Sequence, residues 1–323
     1  MKKTLLSGVK PTGTVHIGNY FGAMRQFVDR QDEYRQFIFL ANYHALTSVS
    51  DGALLRQLTL DLAMDYLAIG IDPKKTTIFL QSDVPEVTEL AWIFNTITTV
   101  PYLSRAHAFK DAEAKNKEVN VGLFDYPILM AADILMYGAD VVPVGLDQKQ
   151  HIEIARDTAQ KFNRTFGETF KIPEPIILEE VKTVPGIDGR KMSKSYGNTI
   201  GLFATDEEVK KAVMSIPTDS KGVEDPKDPS ECKVFAIHEL FPGDELEALR
   251  ARYVAGGVGY KESKDLLVEK IIAFVSPMRT RREEIAKNPD AVLKILKEGG
   301  EVARAHAEKT MTDVRTKVGL ILK

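Results

Sequence analysis

The chain has 323 residues, 44% of them hydrophobic and 28% charged, with a formal net charge of −3 at pH 7. That length buries a sizeable core, as one large domain with a smaller companion, and that charge excludes a globally basic nucleic-acid binder, so RNA contact would need a local positive face. The lone Cys232 excludes an internal disulfide and a Cys-rich metal site.

Apolar runs are too short to span a membrane. The N-terminal MKKTLLSGVKPTG holds an apolar patch shorter than a signal core, which predicts a cytoplasmic protein. Strand-like segments then alternate with helix-like ones. Thr4–Ser7 reads as the first strand, followed by a glycine-bearing turn and a helix carrying Phe21, Met24, Phe27 and Val28. Phe37–Asn42 is the second strand, and Asp51 caps a helix with Leu54, Leu55, Leu58, Leu62 and Tyr66 on one face, ending at Gly70. Thr76–Gln81 and Val141–Gly145 follow as strands. Asp147 with Gln150 resembles a capping box opening a helix, and Ile176–Glu179 is a candidate fifth strand. Beyond about residue 200 the strand pattern stops. Thr205 with Glu208 caps a helix to Ile216, a Pro/Asp-rich loop covers 217–230, and helical patterns continue with breaks expected at Pro242-Gly243, Gly256-Gly257 and Gly299-Gly300. The expected architecture is α/β: a Rossmann-like parallel-sheet domain over 1–200 and an α-helical region over 201–323, whose last helices have the option of packing back on the first domain.

Two segments carry phosphate chemistry. Between the first strand and its helix lies Ser7-Gly-Val-Lys-Pro-Thr-Gly-Thr-Val-His-Ile-Gly-Asn-Tyr20, where glycines admit a ligand close to backbone and a helix N-terminus offers N–H donors to an anion. His16 and Asn19 add side-chain donors on one side of the turn. The second is Lys191-Met-Ser-Lys-Ser195, two lysines and two hydroxyls after Pro185-Gly-Ile-Asp-Gly-Arg190, suited to closing over polyphosphate, with Met192 as a packing anchor. Taken singly, the first is equally an ordinary strand–helix cap and the second equally a solvated basic loop. Asp133 stands out differently. It lies among Ile128, Leu129, Met130, Ile134 and Leu135, where a carboxylate needs a partner: a substrate N–H, an internal salt bridge or a helix cap.

Together, His16-Ile-Gly-Asn19 and Lys191–Ser195 resemble the HIGH and KMSKS signatures of class I aminoacyl-tRNA synthetases. Within that class the chain is similar to the tryptophanyl-tRNA synthetase family along nearly its whole length, through Gly18-Asn-Tyr-Phe-Gly-Ala23, Gly70-Ile-Asp-Pro73, Tyr126–Ile134, Val142–His151 and Ala303-Arg-Ala-His-Ala307. The resemblance implies a tryptophan–tRNA ligase that uses ATP with Mg²⁺ and charges tRNA(Trp) as a homodimer, its helical region reading the anticodon. It implies ATP contacts at Lys10, Pro11, Thr12, Gly18, Asn19, Gly145, Leu146, Asp147 and Lys191–Ser195 (Met192 and Ser193 included), with His16, Asn19, Lys191, Lys194 and Ser195 catalytic. It implies an indole reader at Asp133 and a tryptophan pocket of Met130, Val142 and Val144, with Tyr126 and Gln148 at the substrate's polar end and His44 nearby. Lys110, Lys115 and Lys117 compete for a further lysine role at ATP. Lys10, Leu146 and the segment Ala41–Thr47 depart from the bacterial pattern, which carries glutamine at the first, glutamate at the second and Val-Asp-Gln-His-Ala-Ile-Thr along the segment. The Arg279–Arg282 run abuts Glu283-Glu284, which predicts a self-paired helix face. A tyrosyl-tRNA synthetase, a small-molecule adenylyltransferase and a non-catalytic RNA-binding relative are the alternatives.

Overall fold

The computed structural model describes residues 2–106, 109–110, 120–144, 149–177 and 184–322. Among these, five strands form one all-parallel sheet: β1 (Thr4–Val9), β2 (Arg35–Leu40), β3 (Thr76–Leu80), β4 (Val141–Val144) and β5 (Glu174–Ile177), in the order β3-β2-β1-β4-β5. The expected segments recur with shifted ends. β2 stops at Leu40 because the chain turns into the short helix Asn42–Ala45, and β5 begins at Glu174, two positions before Ile176. The strand order grows outward from β1 in both directions, so a crevice opens between β1 and β4 at the carboxyl ends, the standard ligand position of such sheets.

Strand alternation sorts the core. Leu6, Phe37, Phe39 and Phe79 belong to one buried cluster, with the helices Glu86–Ile97, Val121–Met136 and Lys149–Phe166. Leu5, Ile38, Leu40 and Ile78 belong to another, with the Asp51-capped helix Gly52–Ala68 and with Ile200, Leu202, Val209, Leu267, Ile271 and Val275. The second cluster thus crosses residue 200 without interruption. Val209 comes from Asp206–Met214, whose Thr205/Glu208 capping box is formed, and the last three residues from the long helix Tyr260–Ala286.

Two expectations are corrected. Gly299-Gly300 does not break a helix; one continuous terminal helix runs Pro289–Lys317. A Cβ on Gly299 would lie 1.9 Å from the Ile78 carbonyl oxygen, and one on Gly300 2.8 Å from Asp83 Oδ2. The glycines let the helix lie against β3 and the turn after it, an approach any side chain would block. Arg304 pairs with Glu86 at 2.9 Å and Arg315 with Glu89 at 2.5 Å, fixing the rest of the helix to Glu86–Ile97. Nor does the arginine run pair with Glu283-Glu284. Arg279 meets Asp206 at 2.8 Å, Arg281 donates to the Ala68 carbonyl at 2.8 Å, and Arg282 bridges Asp61 and Asp65 at 2.8 and 2.5 Å. Helix Tyr260–Ala286 lies against helix Gly52–Ala68, so carboxylates across the interface are nearer than those along the helix.

Candidate active site

One cavity, about 780 Å³, sits at the amino ends of the strands between Lys2–Thr4, Arg35 and Asp140. A second, about 290 Å³, opens at the carboxyl ends, where the topology places ligands. Its walls come from Leu6–Lys10 of β1 and the turn after it, from Val142 and Pro143 of β4, and from His44, Tyr126, Met130 and Asp133.

Asp133 is 2% exposed. His44 Nε2 lies 2.9 Å from Oδ2, and Gln81 Nε2 lies 3.0 and 2.8 Å from Oδ1 and Oδ2. Burial pushes the carboxyl upward, while the contacts from His44 and Gln81 pull against that rise. A carboxylate has about four lone-pair directions, so these two partners leave acceptor capacity for a third donor. The sequence-based choice among partners for Asp133 therefore resolves partly inward: two of its contacts are internal, and His44, expected near the substrate's polar end, holds the carboxylate. Gln81 was not among the expected residues; a polar residue ending an apolar strand was its only signal.

Around that carboxylate, Met130 is half-buried and Val142 buried. Tyr126 points its hydroxyl at His151 Nε2, 3.0 Å away, and burial raises it to about 12, so it is a neutral phenol at physiological pH. Lys10 sits at the mouth, donating to Thr47 Oγ1 at 3.1 Å with its ammonium 5.9 Å from the Tyr126 ring centre. Burial lowers the Lys10 pKa. Pro11 is buried and Thr12 exposed. Gly145, Leu146, Asp147, Gln148, Lys115, Lys117 and the Val144 side chain lie outside the described residues; Lys110 is exposed.

The same β1 connection continues into the first motif. His16 caps the turn Ile17–Asn19: the Asn19 N–H donates to His16 Nδ1 at 3.2 Å and the His16 N–H to Asn19 Oδ1 at 3.1 Å. Since Nδ1 accepts, the proton of the neutral ring belongs on Nε2, leaving that nitrogen a donor. Burial first, and the charge of Lys194 second, hold the His16 pKa down at about 4, so the ring is neutral at pH 7. Beyond it the helix passes through a π-helical stretch, Tyr20–Met24, with Phe21 stacked 5.1 Å from Phe274.

The second motif is anchored on the first. Ile17 N–H donates to Ile200 O at 2.9 Å and Leu202 N–H to Val15 O at 3.0 Å, lacing the turn to the chain just beyond Lys191–Ser195. Met192 is 4% exposed, and a Cβ on Gly18 would lie 2.8 Å from His16 Nδ1 and 3.1 Å from the Met192 Cβ, so glycine there admits both the capping ring and the loop anchor. A Cβ on Gly13 would lie 3.3 Å from Lys194 Nζ, which puts that ammonium over the turn. Lys191, Lys194 and Ser195 are exposed, and the Ser193 and Ser195 hydroxyls lie 2.9 Å apart. Asn198, also absent from the expected set, holds the loop. It is 1% exposed, accepts from Ser193 N–H at 2.8 Å, and donates to Asp188 Oδ1 at 2.7 Å and to Lys191 O at 3.1 Å.

The site therefore joins a buried acceptor beside an apolar cavity to neutral and cationic donors around a glycine turn, all near the carboxyl end of β1. Comparisons with known proteins place the chain in one family. The family profile of tRNA synthetases class I (W and Y) matches residues 2–276. The tryptophan–tRNA ligase of Fusobacterium nucleatum is 50% identical over 321 residues, covering 99% of this chain and 98% of that one. That of Rhodopirellula baltica is 47% identical, covering 98% and 99%. The crystal structure of the Campylobacter jejuni tryptophanyl-tRNA synthetase with ADP and tryptophan superposes with a TM-score of 0.92 at 46% identity, covering 98% of this chain and 99% of the other.

Proposed function

The chain belongs to the class I tRNA synthetases of the tryptophan and tyrosine group, and on that premise we propose that it activates L-tryptophan with ATP and transfers it to tRNA(Trp). Full-length relatives named for tryptophan support that amino acid over tyrosine. The observation in this chain that carries it furthest is Asp133, a buried carboxylate with acceptor capacity left beside an apolar cavity of about 290 Å³. An indole offers an apolar body and one N–H donor; phenylalanine would leave the acceptor unmet.

In the first step the tryptophan carboxylate, ionised at pH 7, attacks the α-phosphorus of ATP. A carboxyl O–P bond forms, the bond to the β-phosphate oxygen breaks, and pyrophosphate leaves. No general base is needed; the protein supplies alignment and charge compensation. His16 Nε2 and Asn19 would donate to phosphate oxygens, while Lys191, Lys194 and Ser195 close over the leaving pyrophosphate from their exposed positions on an anchored loop. Lys10, Pro11, Thr12 and Gly18 line the ATP path, and Met192 and Ser193 carry the loop. Among the described residues no group of three or more His, Cys, Asp or Glu side chains could cage a metal ion. Mg²⁺ would enter with ATP, held chiefly by phosphate oxygens, as the chemistry of that ion favours. In the second step a terminal ribose hydroxyl of tRNA attacks the adenylate carbonyl and AMP leaves.

Residues 201–323 would read the anticodon, which rests on the family relationship alone; the Arg279–Arg282 run supplies intramolecular contacts instead. A homodimer is proposed on the family relationship alone. Among the described residues no helix is long and apolar enough to cross a membrane, and cytoplasmic tRNA charging is the proposed setting. Amino-acid-dependent ATP–pyrophosphate exchange tests the reading. Exchange with tryptophan, and little with tyrosine or phenylalanine, is expected. Exchange driven by tyrosine, or tryptophan exchange with no charging of tRNA, would overturn it.

A further inference from the structure

Gln81 directly follows β3 and begins the short turn Gln81–Asp83, where its side chain is 1% exposed. Its Oε1 accepts from two backbone donors, Tyr43 N–H at 3.1 Å and His44 N–H at 3.3 Å. Backbone N–H groups can only donate, so the amide has one possible orientation, with Nε2 toward both Asp133 oxygens at 3.0 and 2.8 Å. The turn itself is held on two further sides. Asn42 Nδ2 donates to Ser82 Oγ at 2.7 Å and Ser82 N–H to Asn42 Oδ1 at 3.0 Å, while Gly300 of the terminal helix sits against Asp83. Gln81 is thus a bracket between the His44 segment and the carboxylate beside the cavity, and every part of the bracket is fixed.

We propose that Gln81 is a positioning residue that sets amino-acid specificity, orienting Asp133 so that its remaining acceptor capacity meets the ring N–H of the substrate. This rests on the reading that Asp133 receives the indole N–H. Gln81 would not touch the substrate. It holds the carboxylate through a neutral donor, which adds no competing charge, while His44 holds it from the other side. An amino acid with a ring donor then completes the acceptor's shell, and one without leaves it short. The residue sits 52 positions from Asp133 in the chain and in no recognisable motif.

Two full-length variants test this. Gln81→Met removes both the Nε2 donor to Asp133 and the Oε1 acceptor for the two backbone N–H groups, at nearly the same length. Gln81→Glu keeps a backbone acceptor but sets a second carboxyl about 3 Å from the first, so the pair shares a proton that is lost as pH rises. In pyrophosphate exchange, Gln81→Met should raise the KM for tryptophan about tenfold and lower the tryptophan-to-phenylalanine ratio of kcat/KM by a similar factor, with the KM for ATP unchanged. In Gln81→Glu the KM for tryptophan should climb between pH 6 and 9, where the parent enzyme stays flat. An unchanged tryptophan-to-phenylalanine ratio in Gln81→Met, or a pH-independent tryptophan KM in Gln81→Glu, overturns the positioning role. If the parent enzyme discriminates tryptophan but Asp133→Asn discriminates equally well, the underlying reading of Asp133 fails instead.

Discussion

Asp133 lies 2% exposed between His44 and Gln81, whereas Lys191, Lys194 and Ser195, at the other end of the same crevice, stand exposed on a loop whose anchors, Met192 and Asn198, are buried. In the pocket the functional group itself is buried; in the loop the functional groups are exposed and their anchors are buried. A group that must tell one ring from another gains from a fixed position, because selectivity is the cost of an unmet hydrogen bond and a mobile acceptor would find another partner. A group that must follow charge onto a leaving pyrophosphate gains from an exposed position on a fixed base, since its value lies in the transition state. Mutations should therefore separate the two ends by which kinetic constant they move.

The largest effect belongs to the loop. Lys194→Ala should slow adenylate formation by about 10²–10³-fold while tryptophan binding stays nearly intact. Pre-steady-state adenylate formation at the parent rate would break the comparison. Next comes Asp133→Asn, which should raise the KM for tryptophan by about 10–100-fold and leave the KM for ATP alone. A fall in kcat with unchanged tryptophan KM would assign that carboxylate a role other than recognition. Smaller again is Asn198→Ala. It leaves the lysines in place and loosens their base, so kcat should fall roughly three- to tenfold and the KM for ATP rise, with tryptophan KM steady. Equal losses in both substrates' KM values would mean that loop and pocket share one scaffold rather than two.

Most of the sheet was legible in the sequence because strands covered on both faces leave continuous apolar runs, and Leu5/Leu6, Phe37–Leu40 and Ile78/Phe79 are such runs. Both proposed phosphate motifs were visible in the sequence because their residues are neighbours in the chain. Gln81 and the terminal helix were not. Gln81 acts through residues 37 to 52 positions away, which no local pattern encodes. Gly299-Gly300 was misread because a helix break and a close helix–strand approach ask for the same residue; only the Ile78 carbonyl decides which applies. The arginine run was misread in the same way, since local spacing favours Glu283-Glu284 while the fold brings Asp61, Asp65 and Asp206 closer.

The smallest predicted effect concerns proton balance at the nucleotide end, where two buried groups titrate in opposite senses. His16 is held down at about 4 against 6.5, chiefly by burial. Between those values the unfolded chain binds more protons, so this residue costs stability as pH falls through that window. Asp65 is pushed up to about 6 from 3.8, again chiefly by burial, with the Arg282 hydrogen bond pulling the other way. There the folded chain binds the extra proton, so its contribution is fully present below 3.8 and is lost as pH rises through 6. Over pH 4 to 6 the two oppose each other and the parent melting temperature should change little on their account. Asp65→Asn removes one side of the balance and leaves His16 unopposed. Its melting temperature should therefore fall more steeply than the parent's as pH drops from 6.5 to 4.5, whatever the offset from the weakened Arg282 contact. Parallel curves for the two proteins would mean that Asp65 is already ionised throughout that range, held so by Arg282 against its burial.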